Sequence, residues 1–187
     1  AGQKPVSADS RNKVAVLPFA FIKDGQSATD VLSEKVQAET YSYLSKHSGI
    51  YTLLDPRTTN ALLIKAGVTK DNIKGYTMDE ICKMLGVEYV IEGIVSVNLV
   101  NQSNYQSNNG AAKTQNNTKS SDRKTTYSGS SYSTSSQNYS TTLNLNIYND
   151  KGASVYSQER KSLFNTTQDA YIATLEYLLK RTPLYTK

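Results

Sequence analysis

The sequence predicts an α/β (α+β) fold, with a mixed sheet of about five strands in the order β-α-β-α-α-β-β-β-α. A long polar insertion separates its third and fourth strands. Three observations lead there. The stretch Val87 to Val100, VEYVIEGIVSVNLV, is the longest β-branched run in the chain, and such a run favours a buried pleated strand. Leu143, Leu145 and Ile147 alternate with Asn144, Asn146 and Tyr148, the pattern of an antiparallel strand with one wet face. Helical stretches with start and stop signals separate the early strands, which is the organisation of parallel strands joined by right-handed crossovers.

Residues 1 to about 12 are polar and carry no periodic pattern. KVAVLPFAF, Lys13 to Phe21, is a short apolar run. It reads as a buried central strand whose regular pairing ends at Pro18. A polar turn follows at Lys23 to Gln26. Ser27 with Asp30 three residues later resembles a capping box, opening a helix from about Ala28 to His47. Leu32, Val36, Tyr43, Leu44 and His47 fall on one side of it, and Gly49 closes it.

Ile50 to Leu54 is the second strand. Asp55 and Pro56 are a cap and a first-turn proline, starting a helix that ends before Gly67. Val68 to Tyr76 reads as a loop. Thr77 and Glu80 form a capping box, and the helix to Leu85 buries Ile81, Cys82 and Leu85 before the left-handed cap expected at Gly86. The long strand then begins at Val87, with Gly93 a bend or a point of close approach.

The composition changes abruptly over residues 101–141, which contain no Val, Leu, Ile, Phe or Met. Burial there cannot offset chain entropy in the ordinary way. The middle is expected to lack fixed structure, while Thr125 to Thr142, rich in Thr, Ser and Tyr, has the composition to extend a ribbon. Asn149-Asp150-Lys151-Gly152 is a hairpin turn, and Ala153 to Phe164 is the return strand. Asn165 or Thr166 is expected to cap a last helix with Asp169 in its first turn. Ile172, Leu175, Leu178 and Leu179 make its apolar face, and Pro183 stops it. The whole reads as one domain over 13–182, with 101–141 a low-complexity insertion within it.

At 187 residues the chain is long enough for a sizeable core, and its formal net charge is +5. The basic residues are scattered and balanced locally by acids, so a nucleic-acid partner is disfavoured. The single cysteine excludes a disulfide framework within the chain and a cysteine-based metal site. The absent initial methionine suggests a removed signal peptide. No stretch reaches the roughly 20 apolar residues of a membrane helix.

No constellation for chemistry emerges. His47 is the only histidine and sits at a helix end. Cys82 reads as a small buried hydrophobe. The first strand is not followed by a glycine-rich phosphate loop, so no cofactor is expected. Glu88 and Glu92 share a strand face but lack a third ligand, which favours solvated charges over a metal. Asn101, Asn116, Asn138 and Asn165 begin N-x-S/T triplets, as expected by chance in so polar a chain.

The distinctive surface feature is the tyrosine and basic content of the insertion. Tyr105, Tyr127, Tyr132 and Tyr139 offer large contact area at low entropic cost. Lys113, Lys119, Arg123 and Lys124 add positive charge. These eight are the candidate partner-binding residues, with a protein, glycan or polymer as the partner.

Several short motifs carry a family resemblance. VAVLPF at Val14 to Phe19, YTLLDPR at Tyr51 to Arg57, and LGVEYVIEGIVSV at Leu85 to Val97 resemble bacterial envelope domains related to the curli secretion channel subunit and the TolB N-terminal domain. Lipoprotein activators of penicillin-binding proteins are similar. Pro18, Phe19, Asp55, Arg57, Leu85, Gly86, Tyr89, Val90 and Gly93 carry the match, and Pro56 departs from it between Asp55 and Arg57. The resemblance implies a non-enzymatic domain of the periplasm or cell surface that docks to envelope proteins. The alternative it implies is an oligomeric curli-type channel subunit, a homo-oligomer whose sheet insertions become membrane hairpins. A lipid-facing strand needs about ten residues with alternate apolar side chains, and residues 101–141 offer only tyrosines.

Overall fold

The computed structural model describes residues 9–107, 132–165 and 170–187. They form a mixed sheet of seven strands with helices on both faces. The sheet is organised on β5 (Tyr89–Ser107). On one side β5 pairs in parallel with β1 (Lys13–Val16) and, further along the same edge, with β2 (Ala20–Lys23). On the other it pairs antiparallel with β6 (Tyr132–Asn149), which in turn pairs with β7 (Ser154–Asn165). β4 (Thr52–Leu53) lies outside β1, and β3 (Gln26–Ser27) lies outside β2.

The sequence expectation of one strand over 13–21 is corrected here. Val16 lies opposite Ile91 and Ala20 opposite Ile94, so the register slips by one residue between them. Leu17-Pro18-Phe19 absorbs the extra residue as a bulge, where the missing N–H of Pro18 costs no ladder bond. The chain then resumes pairing instead of leaving the sheet. It turns back through Asp24 and Gly25, both at positive φ, into β3.

That return displaces the first helix start. Ser27 is paired with Ile22 in β3, so the expected Ser27–Asp30 box does not form. α1 (Asp30–Ser45) begins behind Thr29, which makes no side-chain cap bond. The next two starts form as read. Asp55 accepts the Thr58 N–H at 3.1 Å ahead of α2 (Pro56–Lys65). Glu80 accepts the Thr77 N–H at 3.1 Å at the start of α3 (Met78–Leu85), and Gly86 closes that helix at φ 66°. The loop before α3 contains a turn of 3-10 helix at Ile73–Gly75 and buries Val68.

α1 and the last helix, α4 (Tyr171–Leu179), cover the sheet face that carries Ile91, Val95, Val97, Leu143, Leu145 and Ile147. α2 and α3 cover part of the opposite face over Ala15, Leu17 and Val90. Gly93 on β5 is a point of close approach within the sheet. A Cβ there would sit 2.5 Å from the Asn144 carbonyl oxygen and 2.6 Å from the Phe19 ring. The bulge at Pro18 thus aims Phe19 across a position that only glycine fits. Asn165 is the last residue of β7 rather than a helix cap, because it pairs with Tyr139. Thr166 and Asp169 lie outside the described residues.

Candidate partner-binding surface

β5 and β6 form one antiparallel ladder from the Tyr89–Asn149 pair to the Ser107–Tyr132 pair, with a single irregularity between Leu99 and Asn101. Its two halves have different surroundings. Up to Val97 and Thr141 the inward side chains are fully buried. At that point the neighbouring strands stop. The Asp24 N–H bonds the Val97 carbonyl at 2.9 Å, and the Asp24 carboxylate accepts the Leu99 N–H at 2.8 Å, closing the β2 side. On the far side β7 pairs no further than Tyr139. Among the described residues, 101–107 and 132–138 are therefore paired only with each other. A two-stranded ribbon is marginal in water without something packed on it. At its root Leu99 and Val100 are 43% and 45% exposed.

The tyrosines of the insertion fall into two groups. Tyr105 and Tyr132 lie on the ribbon, opposite Thr134 and Ser107. Tyr139 is 7% exposed and belongs to the main core with Leu143 and Tyr171. Its ring is packing material rather than open contact surface. Lys113, Lys119, Arg123, Lys124 and Tyr127 lie outside the described residues, as does the middle of the insertion.

Beside the ribbon, the face of β5, β6 and β7 beyond α3 carries Glu92, Ile94, Asn144, Asn146 and Ser157. Ile94 is 45% exposed. Ser157 donates its hydroxyl to Asn146 Oδ1 at 2.7 Å, and Asn144 Oδ1 is buried without a hydrogen-bond partner. Glu92 is half-buried rather than the solvated strand charge the sequence suggested. Burial pushes its pKa above the ordinary carboxylate range, partly offset by a hydrogen bond from Tyr148. Glu88 instead accepts the Asn12 N–H. Among the described residues no group of three His, Cys, Asp or Glu side chains converges as a metal site.

A shallow groove of about 450 Å³ runs between α1 and α2, with Arg57 and Ile64 on its wall. Its floor is a reciprocal amide pair. Gln37, fully buried, donates to the Val16 carbonyl at 2.7 Å and to Asn60 Oδ1 at 2.8 Å, and Asn60 donates back at 3.0 Å. The pair fastens both helices to the end of β1, which gives it a structural role.

The two residues whose types suggest chemistry are tied up in packing. Cys82 is 1% exposed, and burial pushes its thiol up to about 12, far from a reactive thiolate. His47 stacks on Tyr185 at 4.6 Å, and its carbonyl accepts the Thr186 N–H at 2.7 Å, so it anchors the end of the chain. Sequence reasoning missed Glu92 because its burial comes from tertiary packing, and its hydrogen-bond partner Tyr148 is far away in sequence. The ribbon root was legible: a run too long for one sheet strand is expected to leave the core at Asn98 to Val100, and Leu99 and Val100 are exposed there.

The sequence matches no protein-family model and no curated protein. Among solved structures, the lipoprotein GNA1162 from Neisseria meningitidis aligns at a TM-score of 0.52 and 11% identity, over 89% of this chain and 94% of that one. The LpoB C-terminal domain from Salmonella enterica gives 0.43 and 13%, over 84% and 85% of the two chains. A PelC dodecamer variant from Paraburkholderia phytofirmans gives 0.47 and 12%, over 100% and 96%. None of these three is a curli channel subunit or a TolB domain. The likeness to the first shows a shared fold, while the other two are too distant to carry an argument.

Proposed function

We propose that this chain is a non-enzymatic, extracytoplasmic binding domain whose β5–β6 ribbon docks to a cell-envelope partner. One observation carries the reading: the ladder continues past its last neighbours, to Ser107 and Tyr132. Residues 101–107 and 132–138 are Asn, Gln, Ser, Thr and Tyr, side chains that make adaptable hydrogen bonds with tyrosine as anchor. Both outer edges of the ribbon present backbone groups that a partner strand can pair. The alternating apolar pattern of a lipid-facing hairpin is missing from these residues, which favours a water-facing partner over a membrane pore. The lipoprotein with the same fold supports an envelope location. Buried Cys82 and packed His47 support a role without catalysis.

The test is photo-crosslinking in the producing cell, from probes placed at Leu99, Val100 and Gln102. A probe at Ile64, 74% exposed on α2, is the control. The ribbon positions should capture one discrete envelope partner, and Ile64 should not. Capture from Ile64 with none from the ribbon positions would sink the reading.

A further inference from the structure

The edge strand β7 and the end of α4 meet around one ring. The Arg160 guanidinium carbon lies 3.4 Å from the centroid of Tyr177, and that of Arg181 lies 3.4 Å from the same centroid. This is stacking contact directly over the ring, and one ring face has room for one guanidinium. The two therefore cover opposite faces. Arg160 reaches the ring from the face of β7 that also carries Tyr156, by strand alternation. Arg181 follows Tyr177 by one helical turn and donates Nη1 to the Tyr177 carbonyl at 2.9 Å.

Both arginines are exposed. Among the described residues, neither guanidinium has a carboxylate partner. Glu159 alternates to the other face of β7, opposite Asn144, and Glu176 acts on Tyr43. Lys180, also exposed, adds a further positive charge beside Arg181. Tyr156 already fastens β7 to α4, donating its hydroxyl to the Leu178 carbonyl at 3.2 Å. Arg181 brings a like charge next to Arg160, and among the described residues no carboxylate pairs with either.

We infer that Arg160, Tyr177 and Arg181 form a binding site for an acidic peptide segment in extended conformation, with carboxylates on alternate residues. Each guanidinium fork matches one carboxylate bidentately. The ring between them holds the two guanidinium carbons no more than about 7 Å apart, which is also the spacing of alternate residues along a strand. A single inorganic phosphate is one anionic group and lacks the second, spaced carboxylate that an extended acidic segment supplies. The site stands on residues separate from the ribbon and does not depend on it.

The experiment uses the full chain and a fluorescent peptide with glutamate at every second residue, read by anisotropy at low salt. A peptide with the same number of glutamates at every third residue is the spacing control. The alternating peptide should bind more tightly than the control. Arg160→Gln and Arg181→Gln should each weaken it by about tenfold. Arg160→Lys and Arg181→Lys, which keep charge but lose the fork, should fall between. Unchanged circular dichroism would show that the variants remain folded, and the lysine pair serves if a glutamine variant does not. Equal affinity for the two peptides would overturn the site. So would variants that bind like the parent, or inorganic phosphate competing at the peptide's own concentration. Binding of anionic phosphatidylglycerol vesicles that needs both arginines, without peptide binding, would assign the site to a membrane and contradict the inference.

Discussion

The β5–β6 ladder is one hydrogen-bonded structure with two fates. From Tyr89 to Val97 it is the centre of the molecule, flanked by β1, β2 and β7 and roofed by α1 and α4. From Asn101 to Ser107 the same two strands continue with no third strand beside them among the described residues. The backbone pairing is alike in both halves, so it does not decide which half is core. Side chains do. Val95, Val97, Leu143 and Leu145 seal one half, while the other is built of Asn, Gln, Ser, Thr and Tyr. Apolar burial contributes about 25 cal/mol per Å², and only the first half has apolar side chains to bury. The first half makes the fold, and the second is free to meet something else.

This contrast can be broken most severely at Phe19. Phe19→Ala empties a fully buried site over Gly93 and should cost ~3–5 kcal/mol in denaturant unfolding. Gly93→Ala should cost ~1–3 kcal/mol by overpacking. The double variant should fall short of the summed losses, since removing the ring opens space for the new methyl, although the Asn144 carbonyl remains close. Strict additivity would show that the bulge and the glycine are not one device.

Glu92 tests the outward face of the sealed half. Its folded pKa is raised by burial, so the folded chain holds the proton more tightly than the unfolded chain. Its contribution is therefore fully present below the unfolded carboxylate pKa and lost as pH rises through the folded value. Glu92→Gln should raise Tm at about pH 7 relative to the parent, and the gain should shrink towards about pH 4, where unperturbed carboxylates protonate. A gain that is flat with pH would contradict a desolvated Glu92.

Much of this division was legible in the sequence, and its limits have physical causes. The buried strand to Val97, the Asp55-Pro56 start, the Gly86 cap and the wet-faced strand at Leu143 to Ile147 depend on local chemistry, and all appear as read. The split of the first strand was not legible, because β2 exists only through its pairing with β5. The same holds for Ser27 and Asn165, good cap residues that ladder partners claim instead. Tyr139 stands in a polar tract and looks like surface, yet the main core takes it in. The stack on Tyr177 joins residues from two elements with no motif between them.

The smallest stability effect is the one on which the account rests. Deleting Asn104 to Ser136 and closing the ends with an Asn-Gly turn removes most of the ribbon and leaves the sealed half of the ladder intact. Its thermal midpoint and its affinity for the crosslinked partner are measured together. The account predicts a midpoint within about 3 °C of the parent, less than 1 kcal/mol for a domain of this size, together with loss of partner binding. A midpoint lower by about 10 °C, or binding that survives the deletion, would contradict it.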